Sequence, residues 1–229
     1  MKEIVLDTET TGMDPNNGDR IIEIGCVELI NHLPSGNTLQ IYINPERDIP
    51  AEATAVHGIT NEFIADKPVF SQVYSKFMDF IKGGKLIIHN AEFDMKFINW
   101  ELAQVGHPAV SWSAVIDTLG MARKKFPGSP ASLDALCKRF SVDNTQRTYH
   151  GALLDSELLA EVYLELIGGR QHGLGLAAES AKAKAQQSAA LKNDRKYREP
   201  REHKASEEEL AAHKAFLEEL KEPIWNKTG

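Results

Sequence analysis

The stretch that decides the fold is V-L-D-T-E-T-T-G, residues 5–12. It follows an apolar start and carries two acids, Asp7 and Glu9, two positions apart. Because strand side chains alternate between faces, both acids point to the same side of a β-strand. Neighbouring carboxylates repel each other, more strongly when they are partly buried. A solvated strand end, one protonated acid or a divalent cation would relieve the repulsion. We favour the cation, since both acids come from a single strand.

The spacing of apolar residues predicts an α/β fold with a mixed five-stranded sheet flanked by helices, over residues 1–168. Residues 3–8, 20–29 and 39–43 are interpreted as strands and residues 85–88 as a short buried strand, whereas residues 115–116 are too few to assign. Helical spacing covers residues 70–81, 93–102 and 153–167. Ser129 and Pro130 predict the start of one more helix.

The composition limits the classes of partner. The 229 residues carry a net charge of −7, divided as −9 over residues 1–169 and +2 over residues 170–229. An acidic body argues against broad electrostatic binding to duplex nucleic acid, although bound cations can reverse the sign locally. Cys26 and Cys137 lie among apolar residues and are expected to be reduced. With no apolar run of about 18 residues and a strand-like beginning, we expect a cytoplasmic protein without a membrane segment.

Two further motifs place acids where α/β proteins assemble their sites. In H-N-A-E-F-D, residues 89–94, Asp94 follows the strand K-L-I-I and falls in the first turn of a helix. In H-G-A-L-L-D, residues 150–155, His150 lies at or before a helix start and Asp155 faces roughly the same side. Taken alone, His150 would more simply cap or pack that helix. Four carboxylates together are typical of sites for Mg²⁺ or Mn²⁺.

The three motifs, D-T-E-T-T-G, H-N-A-E-F-D and H-G-A-L-L-D in this order, resemble those of the DEDD exonuclease family, histidine subclass. The similarity covers residues 3–167, and every motif acid matches. The segments R-I-I-E-I-G, V-H-G-I-T, A-R-K-K-F-P-G and S-L-D-A-L-C are similar to those of members that proofread for replicative DNA polymerases. The resemblance implies an RNase H-like fold. It also implies 3′→5′ hydrolysis of the terminal phosphodiester with two Mg²⁺ or Mn²⁺ ions, releasing nucleoside monophosphates.

The resemblance also implies a role for each motif residue. Asp7 would bridge both metal ions, and Glu9 and Asp155 would hold the ion that carries the attacking water. Asp94 would serve the second ion, directly or through water. His150 would be the general base, a role that an imidazole with a pKa near 6.5 can fill at neutral pH.

Residues beside the motif acids are predicted to meet the 3′-terminal nucleotides. His57, in V-H-G-I-T, resembles a family position that touches the last nucleotide, whereas His89 is expected only to position its loop. Phe93 could equally belong to the core. The predicted substrate-binding set is Asp7, Glu9, Thr10, Thr11, His57, Asn90, Phe93 and Asp155.

The C-terminal part predicts attachment to partners. Residues 169–205 are interpreted as a flexible linker, because large apolar residues are almost absent from 177–204. Within it, Q-H-G-L-G-L is similar to peptides that bind sliding clamps, with Gln171, Leu174 and Leu176 as contacts. Residues 206–229 open with a capping box and predict a helix that docks on a polymerase or folds back on its own domain. The predicted docking residues are Leu210, Phe216, Leu217, Leu220 and Trp225.

Three functions remain open at this point. The preferred one is a proofreading subunit of a replicative polymerase, whose partners are the single-stranded 3′ end of DNA, the polymerase catalytic subunit and the sliding clamp. A further small accessory subunit could bind the body, but the sequence does not identify it. The second function is a 3′→5′ exoribonuclease of the RNase T or oligoribonuclease type, which has no need of a clamp peptide and a docking helix. The third is a structural subunit with an idle site, against which the intact motif acids argue.

Overall fold

The computed structural model describes residues 1–147, 149–169 and 204–219 of the chain. The chain divides into two units, Met1–Leu174 and Gly175–Gly229. The first unit contains the sheet that carries the motif acids. Within the described residues, no helix is both long and apolar enough to cross a membrane.

A five-stranded mixed sheet forms the centre of the first unit, with the strand order β3-β2-β1-β4-β5. The first three strands pair antiparallel, whereas β4 and β5 run parallel to β1. Consequently β1 is the central strand, and its C-terminal half continues beyond the end of β4. The strands are β1 Lys2–Thr10, β2 Ile21–Ile30, β3 Leu33–Tyr42, β4 Lys85–Ile88 and β5 Val115–Asp117.

Seven α-helices belong to the described part of this unit and connect or cover the strands. They are α1 Ala51–His57, α2 Asn61–Ile64, α3 Phe70–Ile81, α4 Ala91–Gln104, α5 Thr118–Lys125, α6 Leu133–Phe140 and α7 Ala152–Leu166. Helix α4 follows β4 directly, and α5 follows β5 directly. The residues after Ile88 and Asp117 therefore stand at the same edge of the sheet, which is where α/β proteins build their sites.

The alternation along β1 divides the core into two layers. Ile4 and Leu6 pack with α3 and α4, where Phe77 and Phe97 are fully buried. Val5 faces the opposite layer, which α6 and α7 build. The odd-numbered residues of β1 therefore all point towards α7. This alternation brings Asp7 and Glu9 to the α7 side of the sheet.

The structure confirms the predicted α/β architecture with a mixed five-stranded sheet and differs most from the prediction at three places. The third strand begins at Leu33, because it continues its pairing with β2 beyond the predicted residues 39–43. Residues 115–117 form the fifth strand through parallel pairing with β4. The helix predicted from Ser129 and Pro130 begins instead at Leu133, since Ser132 accepts the capping hydrogen bond from the Ala135 amide. Cys26 and Cys137 are buried and free.

The described part of the second unit contains one helix, α8, Glu207–Glu219. The predicted capping box is present, because the Ser206 amide donates to Glu209 Oε2 at 2.9 Å and the Glu209 amide donates to Ser206 Oγ. Leu210 and Phe216 are more than half exposed. The predicted contacts Gln171, Leu174, Leu176, Leu220 and Trp225 lie outside the described residues.

Candidate active site

Strand β1 supplies two carboxylates and presents them to the first turn of α7. Asp7 lies opposite Gly25 of β2, and Glu9 lies opposite Glu23. A Cβ at position 25 would overlap the backbone of Ala152, so only glycine permits this approach. The missing side chain therefore lets α7 pack directly on the sheet beside the two acids.

A buried acid that the sequence analysis did not single out fixes the start of α7. Glu23 is 2% exposed, and its Oε2 accepts a hydrogen bond from the Ala152 amide at 3.2 Å. Its Oε1 accepts from Gln40 Nε2 at 2.8 Å. An acid at a helix N-terminus is also favoured by the helix dipole. Glu23 thereby positions the turn that carries Asp155.

The third motif brings an acid and a ring nitrogen to Glu9. Ligand atoms of Glu9, His150 and Asp155 all lie within 4.8 Å of one another. The His150 amide donates to the Val56 carbonyl at 3.0 Å, which anchors the loop before α7. Asp155 is buried, whereas the His150 side chain is 49% exposed. The histidine is therefore the solvent-facing member of this group.

Asp94 reaches the same place from the other layer. It lies in the first turn of α4, is 3% exposed, and its Oδ1 accepts a hydrogen bond from Thr8 Oγ1 at 2.7 Å. Thr8 sits between the two β1 acids, so this bond ties α4 to the strand that carries them. Together the three motifs bring four carboxylates from one strand and two helix starts to one place.

A second unpredicted acid, Asp117, sets the starts of two helices. Its Oδ1 accepts from the Asn90 amide at 3.1 Å and from the Leu119 amide at 3.1 Å, and its Oδ2 accepts from the Gly120 amide. Asn90 itself has a φ of 65°, a left-handed conformation that asparagine tolerates. Asp117 thus holds the first turn of α4 against that of α5.

Arg147 provides the positive charge at the α7 end of the site. Its Nε and Nη2 donate to the two oxygens of Asp155 at 2.5 and 2.6 Å, and its Nη1 donates to Asp134 at 2.8 Å. Nη2 also lies 2.9 Å from Nδ1 of His150. Because a guanidinium can only donate, Nδ1 is the acceptor, and a neutral His150 carries its proton on Nε2. Arg147 Nη2 thus donates both to His150 Nδ1 and to Asp155 Oδ2, two atoms that lie 3.6 Å apart.

The four motif acids line one cleft of about 580 Å³ together with His150 and Arg147, whereas Glu23 and Asp117 lie behind its wall and do not line it. Of the predicted site residues, those lining the cleft are Asp7, Glu9, Asn90, Phe93, Asp94, His150 and Asp155. His89, expected only to position its loop, lines the cleft as well. Thr10, Thr11 and His57 do not line it and are less than 9% exposed. Thr10 Oγ1 donates to the Gly12 carbonyl, and His57 Nδ1 accepts from the Ile59 amide. These three residues support the loops behind the acids.

The electrostatics of the cleft disfavour ionised carboxylates. Burial, then the charges of Asp94, Glu9 and Asp155, raise the pKa of Asp7 well above its usual range. Burial and then the neighbouring acids raise the pKa of Glu9 to about 8. Burial raises the pKa of Asp94 to about 7. Added positive charge would relieve this strain, and oxygen ligands from several elements fit a hard divalent cation.

The comparisons with known proteins agree with the architecture. The family model described as Exonuclease matches residues 4–163. Exonuclease X, solved in complex with 5′ overhanging duplex DNA, is similar with a TM-score of 0.57 and 27% identity over 72% of this chain and 90% of that chain. The nuclease domain of 3′hExo bound to rAMP shares the fold, with a TM-score of 0.62 and 23% identity over 72% of this chain and 91% of that one. The fold and site thus define the class, a metal-dependent exonuclease with an RNase H-like fold.

Curated relatives match nearly the whole chain. The DNA polymerase III subunit epsilon of Rickettsia felis is 48% identical over 96% of this chain and 97% of the relative. That of Escherichia coli (strain K12) is 44% identical over 95% and 92%. The chain therefore belongs to the exonuclease family and, within it, to the DNA polymerase III epsilon subunits.

Proposed function

We propose that this chain removes mismatched nucleotides from the 3′ end of DNA as the proofreading subunit of DNA polymerase III. The observation that supports this most is the convergence of Asp7, Glu9, Asp94 and Asp155 in one cleft. The relatives that cover more than nine-tenths of the chain carry the name of that polymerase's epsilon subunit.

Two divalent cations, Mg²⁺ or Mn²⁺, would be held by the four carboxylates. The charges of the other three acids all act on Asp7, so Asp7 would be shared between the two cations. Glu9 and Asp155 would serve one cation, and Asp94 the other. When bound, such ions lower the pKa of water and stabilise negative charge on a phosphate undergoing in-line displacement. The raised pKa values of Glu9 and Asp94 support the assignment, because cation binding would favour their ionised forms.

His150 would accept the proton of the attacking water. Its exposed ring stands beside Glu9 and Asp155, so the water and the proton acceptor would share one end of the cleft. In the arrangement described, the lone pair of Nδ1 receives a hydrogen bond from Arg147. Proton transfer to Nδ1 therefore requires Arg147 to release the ring. A positioned base of this kind contributes about 10²- to 10⁴-fold to the rate.

The terminal nucleotides would contact the wall that carries Asn90 and Phe93. Both residues line the cleft beside Asp94, and the Phe93 ring packs 5.0 Å from the ring of Phe97. An aromatic ring at this place offers a stacking surface for a base without demanding a particular sequence. For Thr10, Thr11 and His57, burial favours support of the site over contact with the substrate.

The partners of the tail follow from the sequence patterns. We infer that α8 and the residues after it dock on the DNA polymerase III alpha subunit, and more than half of the Leu210 and Phe216 surfaces is exposed for this. The peptide at 171–176 would bind the sliding clamp (beta), and a small accessory subunit could bind the body. Tethering raises the effective concentration of the nuclease at the primer end without tight DNA binding. A bacterial replication subunit would work in the cytoplasm.

Digestion of a 3′-mismatched DNA primer tests the proposal. We expect shortening from the 3′ end with Mg²⁺ or Mn²⁺, and none with EDTA. The double variant Asp7→Ala, Glu9→Ala should be inactive while still binding the polymerase. A matched RNA oligonucleotide serves as the second substrate. Much faster digestion of RNA than of DNA would favour the exoribonuclease function, and full activity of the double variant would contradict the site.

A further inference from the structure

Three consecutive basic residues end helix α5, and they point in three directions. Successive residues of a helix are about 100° apart, so Arg123, Lys124 and Lys125 cannot share a face. Lys125 Nζ donates to the carbonyls of Glu165 and Leu166 at 3.2 and 2.8 Å, which ties it to the end of α7. Arg123 lines the cleft, and Lys124 does not. The three residues therefore have different surroundings although they are neighbours in the sequence.

Arg123 differs from the other arginine of the cleft. Arg147 is only 8% exposed and is bound to Asp155, Asp134 and His150. Within residues 1–147, 149–169 and 204–219, Arg123 has no hydrogen-bond or ion-pair partner, and it is exposed. A strongly hydrogen-bonding group with five donors thus faces the cleft without an acceptor.

Arg123 carries a charge opposite to that of the motif acids and comes from a different element. The motif acids come from β1 and from the first turns of α4 and α7, whereas Arg123 lies in the last turn of α5, one turn after Leu119, which also lines the cleft. Its charge reaches His89 on the adjoining wall. Burial lowers the pKa of His89, with Asp117 acting in the opposite direction, and the charge of Arg123 adds to the lowering.

When a DNA strand is bound by its 3′ end, the phosphate upstream of the scissile one lies where the strand leaves the cleft. The carboxylates repel that phosphate wherever cations do not cover them. An unpaired guanidinium binds phosphate oxygens well, often with two hydrogen bonds. An apolar side chain beside it can contact the sugar or base. The wall of α5 combines both features.

We propose that Leu119 and Arg123 form a subsite for the nucleotide on the 5′ side of the scissile bond, with Arg123 binding the phosphate at the 5′ end of that nucleotide. The inference rests on the proposed function and specifies the path of its substrate. In this subsite Arg123 binds the strand and takes no part in the chemical step.

Substrates that differ by one phosphate test this subsite. A dinucleoside monophosphate contains only the scissile phosphate, and a trinucleoside diphosphate adds the upstream phosphate. We expect Arg123→Ala to lower kcat/KM for the trinucleotide roughly 10-fold, mainly through KM, since a charge-assisted hydrogen bond is lost. The dinucleotide should be cut at the parent rate. On a longer oligonucleotide, the binding affinity of the variant should also depend less steeply on salt concentration, by an amount that corresponds to about one phosphate contact.

Lys124→Ala is the matched control, because it removes an adjacent positive charge that does not line the cleft. It should leave both substrates unaffected, and Arg123→Lys should restore part of the loss. Equal losses of Arg123→Ala on both substrates, no loss on either, or the same loss for Lys124→Ala would overturn the subsite. Hydrolysis of the dinucleotide by the parent protein establishes the nuclease function separately from this result.

Discussion

Glu3 and Glu9 lie on the same face of the same strand, and both are buried, at 0% and 8% exposure. Their surroundings are nevertheless opposite. Glu3 accepts a hydrogen bond from Tyr163 Oη at 2.8 Å and lies 2.8 Å from Nδ1 of His32. Burial, and then the charges of Asp155, Glu23 and Asp94, raise the pKa of Glu9 to about 8.

The difference shows how to distinguish structural from functional buried acids. Burying a carboxylate is costly unless donors or cations compensate it. The fold itself compensates Glu3, whereas the surroundings of Glu9 add more negative charge. One end of β1 is therefore stabilised by internal partners, and the other end depends on protons or on ions from solution.

The largest effect is expected at the acidic end. Asp7→Asn keeps the shape of the side chain but removes the negative charge of the carboxylate that is proposed to be shared by both cations. Since the loss of several kcal/mol of cation-dependent stabilisation corresponds to a factor of about 10³ or more, kcat on a mismatched primer should fall by at least that amount. Glu3→Gln, on the same face of β1, should retain the parent kcat; equal loss in both variants would contradict the distinction.

Replacing the histidine should have the next largest effect on activity. His150→Gln removes the proposed proton acceptor and leaves the carboxylates in place, so kcat should fall by about 10²- to 10⁴-fold. The affinity for Mn²⁺ should change much less than kcat does. Titration calorimetry with Mn²⁺ measures that affinity. His107→Gln, at a histidine that does not line the cleft, is the control. Unchanged kcat in His150→Gln would remove this residue from the mechanism.

The structural end of β1 should respond in stability and not in activity. Tyr163→Phe deletes the donor to the buried Glu3, so the free energy of unfolding should fall by about 1–3 kcal/mol. Urea unfolding measures the change, and kcat should stay at the parent value. Tyr74→Phe is the comparison variant, because the phenol of Tyr74 has no hydrogen bond among the described residues. Equal stability of both variants would show that the Tyr163 bond contributes little.

Much of this site could be predicted from local sequence. Asp7 and Glu9 share a face because of strand alternation alone, and Asp94 and Asp155 fall in first helical turns as expected. The two glutamates of β1 could not be distinguished in this way. Their partners, Tyr163 and Asp155, are more than 140 residues away along the chain, so only the fold brings them together.

The residues that sequence reasoning missed act through tertiary contacts. Glu23 caps a helix that begins 129 residues later, and Arg147 reaches Asp155 across the start of α7. Asp117 had a local signal, an acid after a short apolar run and before Thr118, which is typical of a helix N-cap. The error at Ser129 arose because two serines precede α6, and only the apolar face of Leu133, Leu136 and Cys137 decides between them.

The stability of the protein between pH 5 and pH 8 tests most directly the claim that the cleft depends on added positive charge. The folded-state pKa values of Glu9 and Asp94, about 8 and about 7, lie above their unfolded values, so the folded state binds more protons in this range. The contribution of these two groups to the free energy of unfolding is fully present below their unfolded-state pKa values. It is lost as the pH rises through their folded-state pKa values.

The measurement is the thermal unfolding midpoint across this range, in EDTA and in millimolar Mn²⁺. In EDTA the midpoint should fall as the pH rises, and Mn²⁺ should raise it most at pH 8, where the carboxylates are ionised. The double variant Glu9→Gln, Asp94→Asn should lose most of both effects. A midpoint that does not fall in EDTA, together with no response to Mn²⁺ at pH 8, would contradict the account.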